Sequence, residues 1–521
     1  MNSEELITKL RDIAGNSAIS VDPDTLALMG ADAYEAGQQP VVVIRPDSPA
    51  AVAKCVAAAT SHGYSIAPRG GGLSYTGSYI PQDDKTVMVD TSGLNRVLAI
   101  NKQDMTINVE CGVTWAQIYA ALEPLGLRLP FFGTFSGSGA TVGGGLSHGA
   151  LFFGSARYGS AAETVLSLDV VLASGQILST GQAALAVANK PVFRPFGPDL
   201  TGLFVHDGGT LGIKVTATLK LIVKPSHSEF ASFAFKDFST ASEALCEIAR
   251  HDLTEEIFVL DPAETDDLDL DVRTMARSAS AVGKAADSPL KALRRLFSLG
   301  ISGKNVIPKG HYSLHMTMGG RHAAAVEGDA QHARKIAEKF GGSSVTPSIP
   351  MVARADLFAN LNGIVKPSGS RWAAVNSKVA HSQAVKLIAE VEAMLDSFAA
   401  KMTEHNVSCT RLASALFNHC YSYELVFHWH DEWLPIHRAA ADLDYLKGIT
   451  EPAANHAARA LVEELRQATV KLFKDFGAVS NQIGRTYPYL SVLQPAPADL
   501  LKTVKQYLDP DGLMNPGVLE L

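Results

Sequence analysis

The spacing of apolar residues predicts alternating strands and helices near the start of the chain. Val41–Ile44 is a continuous apolar run, which is typical of a buried strand. Ser48 then occupies an N-cap position with Pro49 directly after it, so a helix is predicted to begin there. Two more β-type runs follow at 64–67 and 86–90, and this part of the chain is therefore interpreted as an α/β unit.

Later segments divide in the same way by their period. A period of two, or a short apolar run, predicts strands at 97–100, 105–109, 165–172, 176–178, 214–221, 232–235, 312–318 and 421–429. The helical period predicts helices at 114–125, 239–250, 332–340, 382–403 and 451–475, and one more within 500–521. Beyond residue 225, strands alternate with longer helices.

The composition describes a large globular protein and excludes several classes. The 521 residues exceed the roughly 250–300 at which one core stops growing, so two or more domains are expected. With 46% hydrophobic and 19% charged residues the chain is not a disordered one, and its net charge of −8 offers no basic footprint for nucleic acid. The five cysteines lack the Cys-x-x-Cys spacing of zinc or redox sites, so reduced thiols are expected.

Signals of export or membrane insertion are missing, which predicts a cytoplasmic protein. Residues 1–10 form an acidic amphipathic opening without the apolar core of a signal peptide. No run approaches the ~18 apolar residues of a membrane span. The acidic segment 264–271 precedes a basic one, 284–304, for which an amphipathic helix at a membrane surface is the alternative. A solvated helical insertion is favoured, because the basic face is short.

Residues 68–77, Pro-Arg-Gly-Gly-Gly-Leu-Ser-Tyr-Thr-Gly, follow the strand predicted at 64–67. Glycine permits positive φ and close backbone approach, and successive N–H groups in such a turn form a concave anion site. Arg69 adds a fixed positive charge beside them. The stretch therefore predicts an anion-binding loop, with a plain surface turn as the alternative.

Two further glycine clusters follow the first. Between 131 and 159 glycine recurs at 133, 137, 139, 143, 144, 145, 149, 154 and 159, and a third cluster at 208–212 precedes the strand predicted at 214–221. Each glycine in regular structure reduces stability by about 0.5–1 kcal/mol. A segment with this many glycines therefore has little purely structural use. Close approach to a non-protein group is favoured over an ordinary irregular loop, since long loops are usually functional.

The three blocks and the tail, in this order, resemble the vanillyl-alcohol-oxidase/p-cresol-methylhydroxylase (PCMH) family of FAD-binding flavoproteins. The blocks are Pro68–Gly77, Thr141–Gly175 and Gly209–Ile213, and the tail is Leu508–Gly517. The resemblance implies an α+β fold, with a PCMH-type FAD-binding domain of two α/β subdomains and a substrate (cap) domain whose antiparallel sheet is flanked by helices. It assigns residues 1–225 and 490–521 to the FAD-binding domain and 226–489 to the cap domain.

The resemblance also implies FAD as the cofactor. The first block would cradle the diphosphate, the second would line diphosphate, ribose and isoalloxazine, and the third would approach the adenosine half. The implied contacts are Pro68, Arg69, Gly70, Gly71, Gly72, Leu73, Ser74, Gly77, Thr141, Gly143, Gly144, Ser147, His148, Gly149, Gly209, Gly212, Ile213 and Asn515. Many relatives bind FAD covalently through a histidine where this chain has Leu73, so non-covalent FAD is predicted, with a link through His419 as the alternative.

Departures from the family pattern narrow the chemistry. Phenol-oxidising members carry an aspartate where this chain has Ser160, and a Tyr-Arg pair where it has Gly484-Arg485. Para-phenol oxidation is therefore not expected. D-2-hydroxyacid dehydrogenases combine a Glu-His pair with two histidines seven residues apart to bind a metal. The matching positions here are Asn481-Gln482, and Val426 stands seven residues after His419, so no metal site is predicted.

Candidate catalytic residues come from the C-terminal stretch 485–489 and from one face of a late strand. Arg485 would hold a substrate carboxylate or phenolate, or stabilise negative charge on reduced flavin. Tyr487 or His428 would be the base or orient the substrate oxygen, with Glu424 as a partner on the face of His428. A structural ion pair for Arg485 and packed core positions for Tyr487 and His428 are the alternatives.

These inferences predict an FAD-dependent oxidoreductase that transfers a hydride from an alcohol to flavin N5. The substrate would be an aromatic alcohol or a hydroxy acid, less readily an amine, and Phe427, Trp429, Tyr487 and Tyr489 favour the aromatic alcohol. The alternatives are a flavin-dependent synthase of the alkylglycerone-phosphate synthase type and a D-2-hydroxyacid dehydrogenase without metal. A binding protein that has lost FAD is disfavoured by the intact blocks. Expected partners are a small-molecule substrate, oxygen or another electron carrier, and a second copy in a homodimer.

Overall fold

The computed structural model describes residues 2–187, 190–265 and 307–521. The basic segment predicted at 284–304 lies outside the described residues, as does the acidic segment beyond residue 265. Within the described ranges, no helix combines the length and the apolar character needed to cross a membrane.

The first part of the chain folds around a four-stranded sheet. Its strands are β1 (Ile19–Ser20), β2 (Val42–Ile44), β3 (Ser65–Arg69) and β4 (Thr86–Asp90), in the order β1-β2-β4-β3. Strands β2, β4 and β3 are parallel and β1 is antiparallel to β2. Helices α1 (Ser3–Ala14), α2 (Pro23–Met29) and α3 (Pro49–Thr60) accompany this sheet. Helix α3 begins as predicted, because the Ser48 side chain accepts a hydrogen bond from the N–H of Ala51.

A five-stranded sheet follows, and it is antiparallel throughout. Its strands are β5 (Val97–Asn101), β6 (Thr106–Glu110), β8 (Val165–Val171), β9 (Ile177–Ser179) and β10 (Ile213–Lys220), in the order β5-β6-β10-β8-β9. A short ladder pairs β7 (Leu127–Arg128) with β11 (Ile222–Val223). Helices α4 (Trp115–Leu122), α5 (Val142–His148), α6 (Ser155–Tyr158) and α7 (Leu200–Leu203) lie in the connections.

The cap part is organised by a seven-stranded antiparallel sheet. Its strands are β12 (His227–Phe235), β13 (Glu256–Leu260), β14 (Tyr312–Gly320), β15 (Ser343–Val345), β16 (Arg371–Ala380), β17 (Ser408–Leu416) and β18 (Cys420–Trp429). They pair in the order β15-β12-β14-β13-β17-β18-β16. The helices are α8 (Phe238–Arg250), α9 (Pro262–Thr265), α10 (Ala323–Lys339), α11 (Ser348–Ala355), α12 (Ala384–Glu404), α13 (Pro435–Ala440), α14 (Leu443–Leu446) and α15 (His456–Phe476).

The two faces of the cap sheet differ in chemistry. One face packs against α8, α10, α12 and α15, and it buries Tyr421, Tyr423, Leu425, Phe427 and Trp429 of β18 in the largest core of the molecule. The opposite face of the same strands turns towards the glycine blocks. The alternation predicted for residues 421–429 is therefore the alternation that the strand has.

The tail returns to the first sheet after helix α16 (Pro495–Leu508). The N–H of Ile66 on β3 donates to the carbonyl of Leu513, and the N–H of Asn515 donates to the carbonyl of Ile66. The α+β architecture and the antiparallel cap sheet predicted from the family resemblance are confirmed. The domain boundaries at 225 and 489 stay predictions.

Candidate active site

The three glycine blocks meet at the carboxyl end of β3. A methyl group added at Gly70 would stand 2.3 Å from Oγ1 of Thr141 in the second block, and one at Gly71 would stand 2.1 Å from the carbonyl oxygen of Gly139, just before that block. Gly72 has a φ of +69°, a left-handed conformation that side chains rarely adopt. Several glycines are thus required by contacts between the blocks themselves. Attributing them only to a non-protein group, as the sequence suggested, was incomplete.

The blocks border a cleft of about 140 Å³ that collects most of the predicted cofactor contacts. Those lining it are Pro68, Arg69, Gly70, Gly71, Gly72, Leu73, Ser74, Thr141, Gly143, Gly144, Ser147, His148, Gly209, Gly212 and Ile213. The lining residues of the second block belong to a short helix, α5, or to its N-cap, and not to the loop expected from the glycines. We call this space the glycine cleft. That these residues contact the cofactor stays a prediction.

Three of the residues predicted to contact the cofactor do not line the glycine cleft. Each of them contacts neighbouring protein groups instead. The N–H of Gly77 donates to buried Asp32 over 2.8 Å. Gly149 ends helix α5, and its carbonyl accepts a hydrogen bond from the side chain of Asn481. Asn515 is fully buried. It therefore joins the tail to the glycine blocks rather than lining the cleft.

Arg69 supports the first block from behind. Its Nη1 donates to the carbonyls of Leu28 (2.7 Å) and Ala31 (3.0 Å), and its guanidinium lies over the ring of Tyr79. The rest of the guanidinium lies directly beneath Gly72. Arg69 therefore fixes the shape of the loop and places a positive charge under it.

A second cation in the glycine cleft was missed by the sequence analysis. Lys214, at the start of β10, lines the cleft, and its Nζ lies 2.5 Å from Oδ1 of buried Asp207. Oδ2 of Asp207 is also buried and has no hydrogen-bond partner among the described residues. A lysine directly after the third block was the available signal. Together with Arg69 and the exposed backbone, this donor set fits an anionic dinucleotide such as FAD.

A larger cleft of about 450 Å³ continues from the glycine cleft and lies against the polar face of the cap sheet. The two spaces share Leu73, Thr134, Ser136 and Gln482 as lining residues. We call the larger space the substrate cleft.

Glu424 and Lys378 are the charged groups on the wall of the substrate cleft nearest the glycine cleft. In the ladder between β16 and β18, Asn376 is opposite Glu424 and Lys378 is opposite Ser422, so the two charged residues are diagonal neighbours. Burial raises the pKa of Glu424, against the charge of Lys378. Its carboxylate has no hydrogen bond or ion pair with any described residue.

Lys378 is held in place by the cleft wall. Its Nζ donates to Oδ1 of Asn376 over 2.9 Å, and Asn376 also accepts a hydrogen bond from Ser480. Burial lowers the pKa of Lys378 to about 8, although the charge of Glu424 opposes that shift. Lys378 was missed because its strand was not predicted.

Tyr75, within the first block, lines the substrate cleft and meets Trp372 edge to face at 5.7 Å. Burial raises the pKa of Tyr75 well above its ordinary value, so its hydroxyl stays protonated and can donate. Tyr75 belongs to the first block, but no cofactor or substrate contact was predicted for it.

His428 does not line the substrate cleft but lies behind Thr410, at the end of the cleft away from Lys378. Its Nε2 is 2.9 Å from Oγ1 of Thr410, which donates to Oε1 of Glu264. Burial, and then the charge of Lys366, lowers the pKa of His428 to about 4, so the ring is neutral at ordinary pH. The predicted pairing of His428 with Glu424 is wrong, because four residues along a strand separate them by about 13 Å.

Arg485 does not face either cleft. Its guanidinium donates to the carbonyls of Gly77, Ile80 (3.0 Å) and Pro516 (2.7 Å), and to the side chain of Asn515 (3.3 Å). The prediction that it holds substrate is wrong for this physical reason. Arg485 joins the end of the first block to the tail.

Tyr487 is also a structural residue. Its hydroxyl accepts a hydrogen bond of 2.7 Å from the backbone N–H of Asn376 on β16, the edge strand of the cap sheet. Burial raises its pKa to about 12. The predicted role as a base is therefore wrong.

The aromatic residues that favoured an aromatic alcohol do not surround the substrate. Phe427 and Trp429 point into the core behind the cap sheet, and neither Tyr487 nor Tyr489 lines the substrate cleft. These four residues therefore do not support an aromatic alcohol as the substrate.

His419 is an exposed residue of the turn between β17 and β18, where its ring stacks on Phe417. It lines neither cleft. Glu424 is five residues further along β18, about 16 Å away at the usual rise per residue. A flavin link through His419 therefore conflicts with the fold.

Asn481 and Gln482 lie where the two clefts join. The side-chain N–H of Asn481 donates to the carbonyl of Gly149 over 2.7 Å, which leaves Oδ1 buried without a partner in the described residues. Gln482 lines both clefts. Across residues 2–187, 190–265 and 307–521, no three His, Cys, Asp or Glu side chains lie close enough together to hold a metal ion.

Two parts of the chain match models of known protein families. A family model described as FAD binding domain matches residues 40–181, and one described as FAD linked oxidases, C-terminal domain, matches residues 488–519. The first part contains the first two glycine blocks, and the second contains the tail. FAD is therefore the cofactor of this chain.

Curated relatives are similar over less than half of the chain. A mitochondrial D-lactate dehydrogenase [cytochrome] of Kluyveromyces lactis is 31% identical over 212 residues, which are 40% of this chain and 34% of that protein. A glycolate oxidase subunit of Bacillus subtilis is 30% identical over 210 residues, 40% of this chain and 43% of the relative. The chain thus spans under half the length of these relatives.

Solved structures share the whole fold. P-cresol methylhydroxylase with substrate bound matches with a TM-score of 0.71 at 17% identity, covering 99% of this chain and 96% of that one. An alkyldihydroxyacetonephosphate synthase matches with a TM-score of 0.69 at 16% identity, covering 99% and 85%. The chain therefore shares the overall fold of these structures over nearly its whole length.

Proposed function

We propose that the chain is an FAD-linked oxidoreductase that oxidises the CH–OH group of a 2-hydroxy acid to a keto group. The matches to the two FAD-linked family models and the shared fold of p-cresol methylhydroxylase support this proposal. The observation that carries the proposal is the diagonal pair of Glu424 and Lys378 on the cleft wall. Bound FAD supplies the acceptor for the hydride that leaves the substrate carbon. A second electron acceptor, oxygen or another carrier, completes the cycle.

Lys378 supports recognition of the acid. A 2-hydroxy acid carries its carboxylate one carbon from the hydroxyl, and a buried ammonium is a strong partner for that carboxylate. The Asn376 side chain holds Nζ through one hydrogen bond, and an ammonium has three donors. Lys378 therefore keeps donors for the substrate while its position is fixed.

Glu424 supports removal of the hydroxyl proton. Oxidation of CH–OH to C=O releases one proton from oxygen, and a general base must lie within hydrogen-bond reach to take it. The Glu424 carboxylate faces the cleft without a competing partner among the described residues, and its raised pKa brings it closer to the working range of a base.

A glutamine at position 424 tests the proposal. We expect Glu424→Gln to retain FAD and to reduce flavin about 10²–10⁴ times more slowly with a 2-hydroxy acid, because an amide cannot accept the proton. The measurement is anaerobic bleaching of the flavin in a stopped-flow instrument. Glu390→Gln is the matched control, since Glu390 is a partly exposed helical residue outside both clefts. A Glu424→Gln enzyme as fast as the original would refute the assignment.

A flavin-dependent synthase is the second candidate, supported by the whole-fold match to an alkyldihydroxyacetonephosphate synthase. A synthase reaction is redox-neutral overall, so it leaves no reduced flavin at its end. Stable anaerobic bleaching by a single substrate therefore separates the two functions. The relatives named for lactate and glycolate favour the oxidation.

A further inference from the structure

The substrate cleft extends well beyond the site at Lys378 and Glu424. On β16 the cleft wall continues from Lys378 to Trp372, and on β18 it continues past Glu424 to Val426. Val426 is opposite Thr410 of β17, which also lines the cleft. From the level of Lys378 to that of Thr410 is four residues, about 13 Å along the strands. A three-carbon acid fills only the first part of this length.

Much of the cleft wall is apolar. The apolar lining comes from Leu260, Ile364, Leu412 and Val426, together with the rings of Tyr75 and Trp372. Each buried CH₂ group contributes about 0.8 kcal/mol to binding in such surroundings. A hydrocarbon chain attached to the hydroxy acid is the group that suits this stretch.

The far end of the cleft is polar, and its charged side chains are paired: Arg411, which also lines the cleft, binds Asp261 and Glu392. Lys366 Nζ lies 2.7 Å from Oε2 of Glu264, whose Oε1 accepts from Thr410. Lys366, Glu264 and Thr410 all line the cleft, and neutral His428 stands behind Thr410. A charged ligand group would meet a charge of its own sign there. An uncharged group that both donates and accepts can bind Lys366 and Glu264 together.

We propose that the substrate is a 2-hydroxy acid whose hydrocarbon chain ends in a hydroxyl or amide group, and that Lys366 and Glu264 bind this terminal group. The inference rests on the function proposed above and adds the distal binding site. It predicts that acids as small as lactate and glycolate, the compounds named for the relatives, are poor substrates of this chain.

Three acids test the proposal on the FAD-loaded enzyme. They are lactate, 2-hydroxyhexanoate and 2,6-dihydroxyhexanoate, and kcat/KM is measured from flavin bleaching for each. We expect the rank lactate, 2-hydroxyhexanoate, 2,6-dihydroxyhexanoate in increasing order. The terminal hydroxyl adds about tenfold, because it satisfies two buried polar groups that a methyl end leaves unpaired. Equal values for the two six-carbon acids, or lactate as the best substrate, would overturn the proposal.

Variants of Lys366 identify the site. In Lys366→Met the ratio of kcat/KM between the two six-carbon acids is expected to fall towards one, and in Lys366→Arg the preference should largely return. Lys471→Met is the matched control, since exposed Lys471 loses an ion pair with Asp475 far from the cleft. An unchanged ratio in Lys366→Met would refute the distal site.

A binding measurement keeps this inference separate from the proposed reaction. The compound 6-hydroxyhexanoate lacks the reacting hydroxyl, so its Kd, measured from the change in flavin absorbance, does not depend on turnover. Weaker binding to Lys366→Met than to the original supports the distal site even if no 2-hydroxy acid bleaches the flavin, an outcome that would sink only the proposed reaction. Equal binding to both enzymes contradicts the distal site.

Discussion

Glu424 and Lys378 carry opposite charges on adjacent strands, yet their charged atoms do not form a salt bridge within the described structure. Removing both charges from water without pairing them is unfavourable. A substrate that places its carboxylate at one and its hydroxyl at the other would relieve both costs. Two unpaired buried charges are unfavourable in a stable core, but they are available to bind a substrate.

The two pKa shifts predict a bell-shaped dependence of kcat/KM on pH. The base must be ionised, so kcat/KM rises with pH through the pKa of Glu424, which burial raises above 4.5. The ammonium must be protonated, so kcat/KM falls again above about 8, the pKa to which burial lowers Lys378. In Lys378→Met the alkaline limb should disappear. Profiles measured with 2-hydroxyhexanoate check this, and an alkaline limb kept in the variant would contradict it.

At the scale of single residues, the sequence predicted Glu424 but not Lys378. The large apolar residues Tyr423 and Leu425 fixed the register of β18, so Glu424 was predicted on the polar face. Lys378 was not found, because β16 contains several alanine and serine residues, which give a weak strand signal. Arg485 was misassigned, because its carbonyl partner on Gly77 is 408 positions away in the chain.

At the scale of elements, local chemistry explains which predictions succeeded. Helix α4 follows Thr114, whose capping box with Gln117 is a signal contained in four consecutive residues. Helix α5 was interpreted as loop, because its glycines oppose helix formation by propensity. Tertiary contact overrides that propensity: a methyl group at Gly145 would stand 2.6 Å from the ring of Trp115. Only the folded structure contains that contact.

Replacing Arg485 should weaken the retention of FAD. Arg485→Ala removes hydrogen bonds to the carbonyls of Gly77 and Ile80, at and just after the end of the first block, and to the carbonyl of Pro516 in the tail. Hydrogen bonds to charged groups contribute about 1.5–3 kcal/mol each, so loosening of the loop should weaken FAD binding at least tenfold. The Kd of FAD for the apoprotein measures this. Arg438→Ala, which breaks an exposed pair with Glu451, is the control. Equal FAD affinity in both variants would exclude the structural role.

At the scale of the whole molecule, a buried charge network joins the cap to the FAD-binding part. Glu255, directly before β13, pairs with Arg128 of β7 and with Arg354 of α11, and Glu256 accepts from the N–H of Gly154 over 2.6 Å. Burial opposes ionisation of Glu255, but the two arginines outweigh it and hold its pKa well below the usual range. The order of the glycine blocks could predict the fold, whereas this junction depends on residues far apart in sequence.

Neutralising Glu255 should destabilise the junction. Glu255→Gln leaves Arg128 and part of the charge of Arg354 without a partner, a change that costs about 3–5 kcal/mol when the pair is buried. A lower Tm and a lower urea midpoint are expected. Because the pKa of Glu255 is depressed, its contribution is present above about pH 4.5 and is lost as the pH falls through the folded-state pKa.

Glu247→Gln is the control for that experiment, since its pair with Arg250 is partly exposed and should change stability by less than about 1 kcal/mol. The loss of stability in Glu255→Gln should also shrink at low pH, where the original carboxyl becomes protonated. Equal Tm values for the two variants at neutral pH would contradict the role assigned to the network.

The tail has a consequence for how the protein is made. Asn515 donates to the carbonyls of Ser78 and Gly208, and the first of these bonds joins residues 437 positions apart. At roughly 5–20 residues per second, a ribosome needs about 20–90 s to travel from one to the other. The first glycine block therefore leaves the ribosome long before the residue that secures it. Capture of FAD is a late event in synthesis, and a nascent chain halted before the tail should emerge without its flavin.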